Sequence, residues 1–118
     1  MNHLLVVAHG SRLAASNDEV RELVDLMRKH NQVYDRIECA FLELAAPSIS
    51  EGIQTCIDGG AKEVIVLPYF LAAGTHVVND IPGLIGEKQQ QYPDIVIQQA
   101  RHVGALPGMI ELMLEAAD

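Results

Sequence analysis

Short β-branched runs alternate with helical patterns four times along this chain, and that alternation limits its fold more than any other feature. Leu4 to Ala8 is apolar and centred on Val6-Val7, the composition of a strand buried on both faces. Val20, Leu23, Val24 and Met27 then recur at helical spacing. Ile37 to Leu42 predicts a second strand, and Ile49, Ile53, Cys56 and Ile57 form a second helical stripe. Glu63 to Leu67 is the third strand, with Val64-Ile65-Val66 as its β-branched centre. Leu84 and Ile85 belong to a third helix that ends by Pro93. Ile95 to Ala100 is the fourth strand, and its polar Gln98-Gln99 marks it as an edge. Leu106, Ile110, Met113 and Leu114 place a last helix, with Pro107 near its start. The order βαβαβαβα calls for a parallel sheet with right-handed crossovers and helices on both faces.

Local signals set the expected boundaries. Ser16-Asn17-Asp18-Glu19 and Ser48-Ile49-Ser50-Glu51 both match the capping-box pattern, in which Ser and Glu satisfy each other's free amides. Gly59-Gly60 stops the second helix, and Asp80 is placed to cap the third. A longer loop runs from Pro68 to about Asn79. At 118 residues, 49% of them hydrophobic, the chain is expected to form one domain over residues 1–118. A domain of that size buries roughly two-thirds of its unfolded surface.

Several function classes are disfavoured. The net charge is −8, and only Arg28-Lys29 pairs two cations, so a nucleic-acid partner is not expected. The apolar run from Val64 to Ala73 is broken by Pro68 and too short to span a bilayer, so no membrane partner is expected. MNHLLVVAHG lacks a basic leader and a cleavage site, which makes the expected setting cytoplasmic. Cys39 and Cys56 form no C-x-x-C pair and are expected to be buried thiols.

The chemistry-bearing residues fall where the predicted strands end. His9 follows the first strand and precedes Gly10, which lets the chain turn sharply and lift the imidazole above the sheet. Glu43 lies just beyond the second strand, between Leu42 and Leu44, a position where burial would demand a cation or a donor. His76 sits in the long loop after the third strand, which also carries the large apolar Tyr69, Phe70 and Leu71. His102 follows Arg101 after the fourth strand. In a parallel sheet those carboxyl ends line one crevice, where ligands bind. Imidazoles with a carboxylate suit borderline divalent metals. No H-E-x-x-H or C-x-x-C spacing indicates a closed structural zinc site, so an open site that holds a metal transiently fits better. His3 and His30 are expected at the surface. Each of these side chains also has an ordinary structural role open to it: a loop-bonded His9, an exposed Glu43, a helix-capping His76, a surface His102.

HGSR (His9 to Arg12), ELAAPSI (Glu43 to Ile49), LPYFLAAGTHVVNDIP (Leu67 to Pro82) and RHVG (Arg101 to Gly104) together resemble the class II chelatases, specifically the short CbiX-type sirohydrochlorin cobaltochelatases. The resemblance covers almost the whole chain, and the third segment is its most specific part. It implies a three-layer, flavodoxin-like α/β domain with a four-stranded parallel sheet in the order 2-1-3-4. It implies insertion of a divalent metal, cobalt first and iron or nickel next, into sirohydrochlorin in cobalamin or sirohaem synthesis. The metal is then a substrate, and no permanently bound cofactor is implied. By this resemblance His9 and His76 are catalytic and, with Glu43, hold the metal. Ser11, Arg12, Tyr69, Phe70, Leu71, Arg101 and His102 are the candidates for binding the tetrapyrrole. Short members are similar to one lobe of longer relatives and pair as homodimers, so a homodimer is implied as well.

Three alternatives stay open at this level. A metal or tetrapyrrole carrier would use the same groups without turnover. A histidine phosphatase is disfavoured, because Ala8 stands where its R-H-G motif needs arginine. A flavin or phosphate binder is disfavoured too, because SRLAAS has only Gly10 nearby and no glycine-rich loop.

Overall fold

The computed structural model describes residues 1–118. Four parallel strands, β1 (Asn2–Ala8), β2 (Arg36–Phe41), β3 (Glu63–Pro68) and β4 (Val96–Gln99), form one sheet in the order β2-β1-β3-β4. Helices α1 (Ala14–His30), α2 (Ile49–Asp58), α3 (Ile81–Gln91) and α4 (Gly108–Ala117) follow the strands in turn. The expected fold class and strand order are therefore met. Central β1 is the most deeply buried strand, its residues from His3 to Ala8 all buried.

Two cores flank the sheet. Leu5, Val7, Ala40, Val64, Val66 and Ile97 meet Ile49, Ile53 and Cys56 of α2 and Ile81 of α3 on one face. Leu4, Val6 and Ile37 meet Val24 of α1 on the other. Gly52 is what brings α2 close: a Cβ there would lie 2.9 Å from Ala40 Cβ and 3.0 Å from Leu5 Cδ1. The second capping box forms as expected, with Ser48 Oγ accepting from the Glu51 amide and Glu51 Oε1 accepting from the Ser48 amide. Burial pushes the Cys56 thiol up to about 11, and Cys39 is half-buried.

Three local expectations are corrected. Ser16 does not cap α1, which begins at Ala14 with Leu13 before it. The buried Asn17 organises that end instead: its Oδ1 accepts from the Ser11 amide and its Nδ2 donates to the Ser11 carbonyl. Asp80 does not cap α3, because a π-helical turn over His76–Asp80 runs straight into that helix. His3 is not at the surface. It points inward from β1 at 0% exposure, neither ring nitrogen has a hydrogen-bond partner, and burial lowers its pKa.

The expected last helix is present as α4, with Pro107 at its start and Leu106 just before it, but it packs none of its apolar residues into a core. Ile110, Leu112, Met113 and Leu114 are all exposed, and the helix packs against the short 3₁₀ turn Val103–Ala105. On the sheet face that α1 shares, Ile65 and Leu67 of β3 remain half-buried.

Candidate metal centre

β1 delivers His9 to the crevice, and the backbone around it joins β2's loop to the same point. The ladder continues past the end of β2: Leu42 N donates to Ala8 O at 2.9 Å, and Glu43 N donates to His9 O at 3.1 Å. Gly10 is what permits this closeness. Its φ is +91°, and a Cβ there would stand 1.8 Å from the Glu43 carbonyl oxygen. Directly after Glu43, Leu44 takes φ 64°, a left-handed conformation that costs a non-glycine residue about 1–2 kcal/mol. Arg21 of α1 braces this loop, donating to Ala46 O at 3.1 Å while its guanidinium lies over the Phe41 ring, 5.1 Å from the centroid.

The result is a short approach between two side chains 34 positions apart in sequence: His9 Nε2 lies 3.6 Å from Glu43 Oε1. Both are about half-exposed, so Glu43 is not the buried carboxylate that its apolar neighbours suggested. The His9 Nδ1 is 3.0 Å from the Gly10 carbonyl, which can only accept, so the proton of the neutral ring sits on Nδ1. The Nε2 lone pair is then free beside Glu43. At 3.6 Å the two atoms are too far apart for a direct hydrogen bond. Two ligands each about 2.1 Å from one tetrahedral cation would stand about 3.4 Å apart, so the gap suits a shared cation.

His76 comes alongside His9 from the π-helical turn after β3. Its ring meets that of His9 edge to face, with centroids 5.1 Å apart. Its Nδ1 lies 2.7 Å from Asp80 Oδ2, one turn further on. The structure thus gathers His9, Glu43 and His76. No three His, Cys, Asp or Glu side chains close round one point, so the set is open, with a paired histidine and glutamate and a second imidazole alongside.

The remaining candidates follow the ends of β1, β3 and β4. Tyr69, Phe70 and Leu71 line an apolar cavity of about 270 Å³ beyond β3, and Leu71 is 70% exposed. The Ser11 hydroxyl accepts from the Leu13 amide and so shapes its own loop. Arg12 and Arg101 are exposed, and neither makes an ion pair. His102 is half-buried, and no hydrogen bond, ion pair or ring contact joins it to His9, Glu43 or His76. It follows β4, two strands from β1 and so about 10 Å across the sheet. Gly104 packs that segment onto the cavity wall, its amide donating to Phe70 O at 3.0 Å.

Three supporting residues escaped the sequence reading. Asn17 looked like part of a capping box and Asp80 like a helix cap, and Arg21 carried no motif at all. Only the four-residue spacing from His76 to Asp80, one helical turn, was a readable signal.

Comparisons with known proteins bear on the family and the fold. The chain is similar to the sirohydrochlorin cobaltochelatase of Methanococcus maripaludis, 43% identical over 73% of this chain and 59% of that protein. It is similar to the sirohydrochlorin ferrochelatase of Priestia megaterium, 30% identical over 98% of this chain and 43% of that one. The chain thus spans less than two-thirds of the length of these curated relatives. Among solved structures, the sirohydrochlorin chelatase SirB from Bacillus subtilis subspecies spizizenii, in complex with cobalt, superposes with a TM-score of 0.88 at 28% identity. That match covers 98% of this chain and 49% of SirB. A CbiX protein of cobalamin biosynthesis from Marinobacter aquaeolei shares the fold over 94% of its own length, with a TM-score of 0.85 at 24% identity. The family model that matches residues 3–118 is CbiX, and with the sheet order and strand-end residues already described, the chain belongs to the CbiX family.

Proposed function

We propose that this chain inserts a divalent metal into sirohydrochlorin, cobalt in the first place, with iron or nickel as the other candidates. The observation that carries the reading is the convergence of His9, Glu43 and His76 at one end of the sheet, with His9 and Glu43 at 3.6 Å. The relatives named for cobalt and iron insertion support the substrate and the metals.

In this reading the metal is a substrate that arrives at His9 Nε2 and a Glu43 oxygen. The carboxylate neutralises part of its charge, and borderline metals accept the mixed nitrogen and oxygen donors. The tetrapyrrole lies against Tyr69, Phe70 and Leu71, which give the flat macrocycle an apolar wall. The pyrrole N–H protons leave before the metal can seat, and neutral imidazole at His76 or His9 accepts them. An open donor set serves this chemistry, because a closed one would hold the metal too firmly to pass it on. Ser11, Arg12, Arg101 and His102 are proposed to receive the macrocycle's carboxylates, and the two arginines offset the −8 net charge locally.

We further propose that residues 1–118 act as one cytoplasmic domain that pairs as a homodimer. The exposed apolar side of α4 and the half-buried Ile65 and Leu67 support pairing, since both are apolar surfaces left without cover in one chain. No helix is long and apolar enough to cross a membrane.

An absorbance assay with sirohydrochlorin and Co(II) tests the central reading. The chain is expected to accelerate the spectral change of metal insertion, and His9→Ala and His76→Ala each to abolish most of it. Retained activity in both variants would remove the mechanism. Tight metal or tetrapyrrole binding with no rate above the spontaneous one would make the chain a carrier instead.

A further inference from the structure

We propose that Asp80 is a positioning residue: it holds His76 in the tautomer that carries its proton on Nδ1, leaving Nε2 as the lone-pair nitrogen at the metal centre. This inference rests on the function proposed above. Its starting point is the 2.7 Å separation of His76 Nδ1 and Asp80 Oδ2, short for a nitrogen–oxygen hydrogen bond and in the range of a charge-assisted one. An ionised carboxylate only accepts, so the ring nitrogen that faces it must carry the hydrogen. In a neutral imidazole one nitrogen is the donor and the other the acceptor, and Asp80 thereby decides which is which.

His9 provides an internal comparison. Its Nδ1 is engaged as well, by the Gly10 carbonyl at 3.0 Å. Both imidazoles therefore have their δ nitrogens tied back and their ε nitrogens free, and the two rings meet edge to face at 5.1 Å. The backbone supports the arrangement. His76 opens a π-helical turn in which its carbonyl accepts from the Ile81 amide five residues on, and such turns recur at functional sites. The buried Val77 anchors that turn, and its carbonyl accepts from Gln99 Nε2 at 3.1 Å. The His76–Asp80 pair is thus carried on a fixed segment although both side chains are 44% exposed. An exposed pair at this spacing contributes little to folding, so removing the carboxylate should act on the imidazole far more than on stability. Outer carboxylates that orient metal-binding histidines typically account for 10–100-fold in metal affinity.

The test uses the full chain with nitrogen-15 histidine, compared with Asp80→Ala and Asp80→Asn. Long-range proton–nitrogen spectra, taken where imidazole is neutral, report the His76 tautomer directly. The native chain is expected to show the Nδ1-protonated form, and Asp80→Ala a mixture weighted to the other. Asp80→Asn, whose amide oxygen still accepts, should restore most of the native tautomer. Calorimetry with Co(II) alone should show Asp80→Ala binding about 10–100-fold more weakly, with the Asn variant between, and an unchanged unfolding midpoint in both. An unchanged tautomer in Asp80→Ala would overturn the proposal, as would Co(II) affinity within twofold of the native chain. If the native chain binds no Co(II), the proposed function falls, while the tautomer spectra still decide what Asp80 does to His76.

Discussion

Gly10→Ala strikes the backbone junction on which the metal centre depends. Glycine is required there twice over, by a φ of +91° and by the Glu43 carbonyl oxygen 1.8 Å from where a Cβ would stand. The positive φ alone costs alanine about 1–2 kcal/mol. The clash is with backbone, so the loop after β2 must move, and that breaks the bonds from Glu43 N to His9 O and from Leu42 N to Ala8 O. Each lost bond costs about 1 kcal/mol. The expected destabilisation is about 3–4 kcal/mol, or a Tm lowered by about 10–15 °C for a chain of this size. Urea titration gives the free energy and thermal unfolding the midpoint. Displacing Glu43 from His9 should also weaken Co(II) binding, read by calorimetry well below the new Tm. Gly74→Ala is the matched control: a Cβ there meets nothing within 4 Å, so stability should hold to within about 0.5 kcal/mol. If Gly10→Ala were as stable as the control, the claim that this junction holds His9 beside Glu43 would be refuted.

Three further outcomes are expected. His3 is buried with both nitrogens unpartnered, and burial, with Arg36 nearby, lowers its pKa below the ordinary 6.5. Below that pH the unfolded chain takes up a proton that the folded chain refuses, so the stability present above about pH 6.5 declines as the pH falls toward the folded pKa. His3→Leu should flatten this acid limb in urea titrations between about pH 7 and pH 5, and equal slopes in the two proteins would rule out the assignment. Gly52→Ala places a methyl 2.9 Å from Ala40 Cβ, and the overpacking should outweigh the gain in helix propensity by about 1–2 kcal/mol; a more stable variant in denaturant unfolding would show that α2 can back away freely. Arg12→Ala, which removes an exposed guanidinium outside the fold's ion pairs, should weaken sirohydrochlorin binding in a fluorescence titration and leave Co(II) binding alone. Unchanged tetrapyrrole affinity would withdraw Arg12 from the substrate site.

Residues close in sequence dictated much of this protein. The β-branched runs around Val6-Val7 and Val64-Ile65-Val66, separated by helical stripes, determined a parallel sheet, because side-chain period and crossover handedness leave few other solutions. They also determined that His9, Glu43 and His76 would follow strand ends and share a crevice. Boundaries and partners were decided at longer range. Asn17 overrode the Ser16 cap by bonding both backbone groups of Ser11. The π-helical turn took Asp80 from helix-capping to His76. His3 lay on the buried central strand although it is polar, since strand order sets burial and local composition does not. The 3.6 Å approach of His9 to Glu43 arose only once β1 and β2 were paired and Gly10 let their loops touch. Local sequence controls dihedral preference and periodicity, whereas distances between side chains from different strands exist only after the sheet has formed.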